Sequence, residues 1–143
     1  VFSSRTSKLL YELRGDRPRD LFGYELCYLP DWRRANEPAI AVAAARGGPI
    51  GNGYVRVFAL PDAAPLQTMA GHHGQHRFGV SLVDLGDRDG DGRRELGVTT
   101  LHGNMNAEFY VMTLRDAFPG GPLRGSPEPP RSAPKPPAGV LPK

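Results

Sequence analysis

Slid against itself by 56 positions, the chain matches without a gap. Val1-Phe2 falls on Val57-Phe58, Phe22-Gly23 on Phe78-Gly79, and Tyr54-Val55 on Tyr110-Val111. Leu10, Gly15, Leu26, Leu29, Asp31, Val42 and Gly47 fall on Leu66, Gly71, Leu82, Leu85, Asp87, Val98 and Gly103. That makes 13 identities over 60 aligned pairs, concentrated in apolar, strand-like segments. A tandem repeat constrains the fold strongly. One unit of this size cannot bury its apolar face alone, so its core is completed by stacking on a neighbour.

The second copy shows the units best. Short runs rich in β-branched and aromatic residues lie near Tyr54–Phe58, Leu66–Ala70, Phe78–Leu85 and Glu95–Thr100. Pro61-Asp62, the stretch from Gly71 to Gly74, and an acidic loop separate them as turns. Four short antiparallel strands per unit predict an all-β fold made of two four-stranded propeller blades, a partial propeller. The expected divisions are 1–56, the end of a preceding strand and a first blade; 57–114, a second blade; and 115–143, a Pro-rich tail.

The acidic loop reads Asp-Arg-Asp-Gly-Asp-Gly-Arg-Arg-Glu over residues 87–95. Carboxylates at alternate positions repel one another unless a cation neutralises them. Hard oxygen donors at this spacing suit Ca²⁺, which takes about 6–8 oxygens in a flexible shell. Gly92 permits the sharp turn that returns the later ligands to the ion. The loop is not an EF-hand. Counted from Asp87, position twelve is Val98, which cannot coordinate, and the flanks read as strands rather than helices. The expected ligands are Asp87, Asp89, Asp91, the Arg93 carbonyl and Glu95. In the first copy Asp31 matches Asp87, but Arg33, Ala35 and Ala39 replace the other three carboxylates. One ion is therefore expected, with Trp32 and Pro38 stiffening the empty loop.

Phe78-Gly79, followed about eight residues later by Gly86 through Leu96, resembles the FG-GAP repeat, the blade of integrin α-subunit propellers and of many bacterial surface proteins. The opening from Val1 to Gly15 resembles the hairpin that precedes Phe-Gly in bacterial members. The resemblance covers roughly residues 1–114. It implies Ca²⁺ at Asp87, Asp89, Asp91, Arg93 and Glu95, and an extracellular or cell-surface setting. Three features depart from the family pattern. Glu95 stands where Asp is usual, the first copy has no metal loop, and the Gly-Ala-Pro segment after the acidic strand is Gly97-Val98-Thr99-Thr100 here.

Two blades fall short of a closed propeller of typically 4–8. The chain opens at Val1 inside a repeat-assigned strand, so further blades of a longer parent chain are the expected partners. The alternative is an open two-blade unit with exposed edges. From Pro119 onward 9 of 25 residues are proline, a composition that reads as an extended linker. Pro127-x-x-Pro130 and Pro134-x-x-Pro137 also fit an SH3-type ligand pattern.

The net charge of +3 lies in that tail: Arg124, Arg131, Lys135 and Lys143 against Glu128. Residues 1–118 carry 14 positive and 14 negative charges, so no broad basic footprint for nucleic acid is expected. No membrane span is evident. The single cysteine, Cys27, reads as a small apolar core residue.

No G-x-S-x-G or P-loop lysine is present, and Gly47–Gly53 reads as a hairpin loop. His72, His73 and His76 cluster, but Asp16, Arg17 and Asp20 hold the matching positions, so a surface loop is favoured over a Zn²⁺ or Ni²⁺ site. His102 reads as solvated. The expected function is a non-enzymatic, calcium-stabilised scaffold that contacts protein or carbohydrate. The alternative is an accessory propeller segment of a larger secreted enzyme.

Overall fold

A computed structural model describes residues 1, 3–32, 36–60, 62–72 and 76–113. It is all-β, with no helix among the described residues. Seven strands run in chain order: β1 Phe22–Leu29, β2 Ala39–Ala44, β3 Tyr54–Ala59, β4 Pro65–Ala70, β5 Arg77–Gly86, β6 Glu95–Leu101 and β7 Ala107–Thr113. They form two antiparallel sheets, one ordered β1-β2-β3-β4 and one ordered β5-β6-β7.

The repeat superposes on these strands. Moving β1 forward by 56 gives 78–85, inside β5, and moving β2 gives 95–100, inside β6. The sheets, however, divide the chain between residues 70 and 77, so Tyr54–Ala59 pairs with β2 and Pro65–Ala70 with Tyr54–Ala59, and neither pairs with β5. The physical reason is local. The Gly47–Gly53 loop closes the β2–β3 hairpin, and the register Ala39↔Ala59 through Ala44↔Tyr54 pairs that hairpin along its whole length. Among the described residues before Phe22 there is no regular strand. The chain folds back there, with Ser3 N–H donating to the Lys8 carbonyl (2.9 Å) and Leu10 N–H to the Val1 carbonyl (2.9 Å).

The two sheets pack face to face. Leu29, Ala41, Ala43, Val55, Val57 and Met69 of the first meet Phe78, Leu82, Leu96 and Val98 of the second. The alanines of β2 matter because small side chains let the second sheet approach closely. The approach is close at Gly79, which has φ +89° and lies where any Cβ would be 2.9 Å from both Ala43 Cβ and Val55 Cγ2. Each fully buried aliphatic side chain in this layer contributes about 1.5–3 kcal/mol. The loop before β3 ties the sheets at one end, where the Asn52 carbonyl accepts the Phe78 N–H at 3.1 Å.

Cys27 is half-buried against the core rather than enclosed in it. Burial, then the nearby Asp84 charge, pushes its thiol above the ordinary range. Among the described residues no helix is long and apolar enough to cross a membrane. The Pro-rich tail, with both P-x-x-P motifs, lies outside the described residues, as do Arg33, Ala35 and His73.

Candidate metal centre

The acidic loop joins the end of β5 to the start of β6, as expected for a turn between strands. Its backbone is folded by its own carboxylates. Asp87 accepts the N–H of Gly90 (2.7 Å) and of Gly92 (2.9 Å). Asp89 accepts the Asp91 N–H at 3.1 Å, and Asp91 accepts the Arg93 N–H at 2.8 Å. Short side-chain acceptors capture nearby backbone donors in this way, which is why Asp dominates such turns. Gly92, at φ +83°, supplies the left-handed step that returns the chain toward β6.

Glu95 is the pivotal side chain. As the first residue of β6 it is buried, with 4% of its surface exposed. Its Oε2 accepts the Arg88 N–H at 2.7 Å, while Oε1 is buried without a hydrogen-bond partner among the described residues. A buried carboxylate with one oxygen unsatisfied is costly unless a cation or donor reaches it. Carboxylate oxygens of Asp87, Asp89 and Glu95 all lie within 4.8 Å of one another. The residues fit a hard divalent cation: three anionic oxygen donors converge, and one of the carboxylates holds a spare buried lone pair.

Of the other two expected ligands, Asp91 stands apart. Asp91 lies outside the group of three and is engaged as a turn acceptor. Arg93 turns its N–H onto Asp91.

One supporting interaction lies beyond the sequence reading. Arg94 grips Asp84 with two parallel bonds, Nε to Oδ1 at 2.9 Å and Nη2 to Oδ2 at 2.6 Å. The pair bridges β5 and the end of the loop, and both side chains are about three-quarters buried or more, at 23% and 20% exposed. Burial works to raise the Asp84 carboxyl. The Arg94 hydrogen bonds, the Gly86 N–H and the Arg94 charge outweigh it and hold the group below its ordinary range. The hydrogen bond to Asp84 likewise raises the Arg94 guanidinium.

His73 lies outside the described residues. Among the described residues the only group of three or more candidate ligands is the acidic one. His72 is exposed. His76 lies against His102 with ring centroids 3.8 Å apart and planes tilted by 45°. The solvated reading of His102 is corrected: its side chain is mostly buried, and Nε2 lies 3.2 Å from Glu108 Oε2 without hydrogen-bond geometry. No protein-family model matches the chain.

Proposed function

We propose that this chain is a calcium-stabilised β-repeat module of the FG-GAP propeller type, serving as a scaffold for protein or carbohydrate contact rather than as an enzyme. The observation that carries the reading is Glu95, buried at the base of the acidic loop with one oxygen free, beside Asp87 and Asp89. A bound Ca²⁺ would neutralise those carboxylates. Asp87, Asp89 and Glu95 would hold it first, with Asp91 and the Arg93 carbonyl as further donors. The tandem reading draws support from repeat-equivalent packing inside each sheet. Phe22 and Tyr54 lie 6.3 Å apart and Phe78 and Tyr110 lie 6.2 Å apart. Further blades of a parent chain, and an extracellular setting in which calcium is plentiful, belong to the same proposal.

The chain's own residues do the mechanical work. The Asp87 bonds to Gly90 and Gly92 set the loop's curvature, and Glu95 links the loop's floor to β6. A cation there joins the far side of the loop to the buried end of a core strand. The test is a calcium titration followed by thermal unfolding. Extracellular modules bind at about 10⁻⁴–10⁻³ M, and a tenfold excess over that constant stabilises by about 1.4 kcal/mol. The wild-type melting temperature should rise by about 5 °C. Asp89→Ala should lose that rise, and Mg²⁺ should replace calcium poorly because it demands a tighter octahedral shell. A melting temperature indifferent to calcium, or raised equally in Asp89→Ala, overturns the reading.

A further inference from the structure

The acidic loop occupies one end of the β5–β6 hairpin; the other end carries the opposite charge. There a cleft of about 630 Å³ opens between the segment before β1, the β2–β3 loop, the start of β5 and the β6–β7 loop. Arg17, Arg19, Arg46 and Arg77 all line it. Among the described residues none of these four guanidinium groups makes an ion pair or a side-chain hydrogen bond. Two arginines beside the strands differ: Arg56 pairs with Asp16 at 2.9 Å and Arg94 with Asp84 at 2.6 Å.

The cleft contains one carboxylate, Asp20, and it is already engaged. Asp20 is buried, its Oδ2 accepts the Arg17 N–H at 3.0 Å, and the Tyr54 hydroxyl donates to it at 3.4 Å. Its backbone carbonyl accepts the Arg46 N–H at 3.1 Å, which fixes the β2–β3 loop against the opposite wall. The carboxylate therefore builds the cleft and leaves its arginines unneutralised. Four like charges brought together by three separate segments repel one another, and an anion relieves that repulsion.

We infer that this cleft binds a small molecule bearing a phosphate or sulfate ester. A guanidinium presents a planar fork of N–H donors that matches such oxyanions in pairs of hydrogen bonds. Several forks on one cleft suit a group with three or more acceptor oxygens better than a single carboxylate. The volume lies within the usual range for small-molecule sites, about 300–1,000 Å³. Ile50 and Leu101 on its walls offer apolar contact to the body of the ligand. A concave pocket takes one discrete group, unlike the basic stripe that tracks a polyphosphate backbone. The inference does not depend on calcium at the far loop.

The test is calorimetric titration of the full chain in about 20 mM NaCl, where charge is little screened. The probes are glucose 6-phosphate and glucose 6-sulfate, with glucose as the uncharged reference. Binding of either ester but not of glucose is expected. Tighter binding of the phosphate assigns a phosphate ester as the natural ligand group; equal or tighter binding of the sulfate assigns a sulfate ester. The double variant Arg46→Ser/Arg77→Ser should weaken the preferred ester by about tenfold or more, as loss of charge-assisted bonds requires. Arg46→Lys/Arg77→Lys keeps the charge and loses the forks, so it should also weaken binding, by about threefold or more. Arg5→Ser/Lys8→Ser, outside the cleft, should stay within about twofold. Circular dichroism confirms that each variant is folded. No heat with either ester overturns the inference. So does equal weakening by the Arg5/Lys8 pair, or full affinity in the lysine variant.

Discussion

The two copies of the repeat carry the same residues in different surroundings. Leu26 and Leu82 are repeat partners, yet Leu26 is 57% exposed and Leu82 only 7%. Gly23 and Gly79 both adopt positive φ, +87° and +89°, at irregular points of β1 and β5. A Cβ at Gly79 would strike Ala43 and Val55 of the neighbouring sheet; at Gly23 it would meet nothing within 4 Å. The second copy thus uses its Phe-Gly-Leu face to dock on the first sheet, and the first copy presents the same face outward. A residue pattern that repeats reports what the unit is built to do, while burial reports which neighbours it has.

The loops that follow show the converse, a shared position filled by different chemistry. Ala39 and Glu95 are repeat partners and both are buried, at 0% and 4% exposed. In the first copy a methyl group sits there, and Trp32 fills space in the core cluster at 5% exposed. Asp31, the one acidic residue retained at a ligand position, accepts the Asn36 N–H at 2.7 Å and simply forms a turn. In the second copy a carboxylate takes the methyl's place. Beside the first copy's position stands a buried aromatic ring; at the second stands a buried carboxylate next to Asp87 and Asp89.

The largest effect expected from this comparison is at that aromatic ring. Trp32→Ala should cost about 3–5 kcal/mol in urea unfolding, because a large buried aromatic leaves a cavity. The loss should be the same with calcium and with a chelator. A calcium-dependent loss would mean that the two loops act as one unit. Next comes the leucine pair. Leu82→Ala should cost about 2–5 kcal/mol, and Leu26→Ala less than about 1 kcal/mol. Equal costs would show that the outer face of the first sheet is covered in solution, and would remove the asymmetry described above.

These contrasts also show what the sequence makes legible. The strands are local patterns, and the 56-residue repeat carries β1 onto β5 and β2 onto β6 within a residue of their observed ends. Sheet membership is not local. It depends on which hairpins close, and the Gly47–Gly53 loop assigns Tyr54–Ala59 to the sheet before it. The acidic loop is legible because its carboxylates are neighbours in the chain. The burial of Glu95 and the separate position of Asp91 emerge only once β6 is in the core. The basic cleft is hidden for a different reason. Its arginines sit at positions 17, 19, 46 and 77, on three segments. A charge sum of zero over residues 1–118 conceals their separation from the acids at the opposite end of the hairpin.

The smallest expected effect concerns the ion pair that braces the acidic loop and has no partner pair at the matching positions of the first copy, where Tyr28 and Pro38 stand. Asp84 titrates below its ordinary range in the folded chain, so the unfolded chain binds protons more readily. Its contribution is therefore complete above about pH 5, and is lost as pH falls through about 4 and below. Arg94→Ala leaves a half-buried carboxylate unpaired and should cost about 1–3 kcal/mol at neutral pH. That difference from wild type should shrink on acidification, since protonation of Asp84 removes the charge that Arg94 serves. Asp31 is a second acidic group facing the pair, and its charge also raises the Arg94 guanidinium. Urea unfolding of both proteins at several pH values, in chelator to keep calcium out of the comparison, measures it. A difference that stays constant down to about pH 3 would mean that Arg94 stabilises the loop by packing its aliphatic stem rather than by its charge.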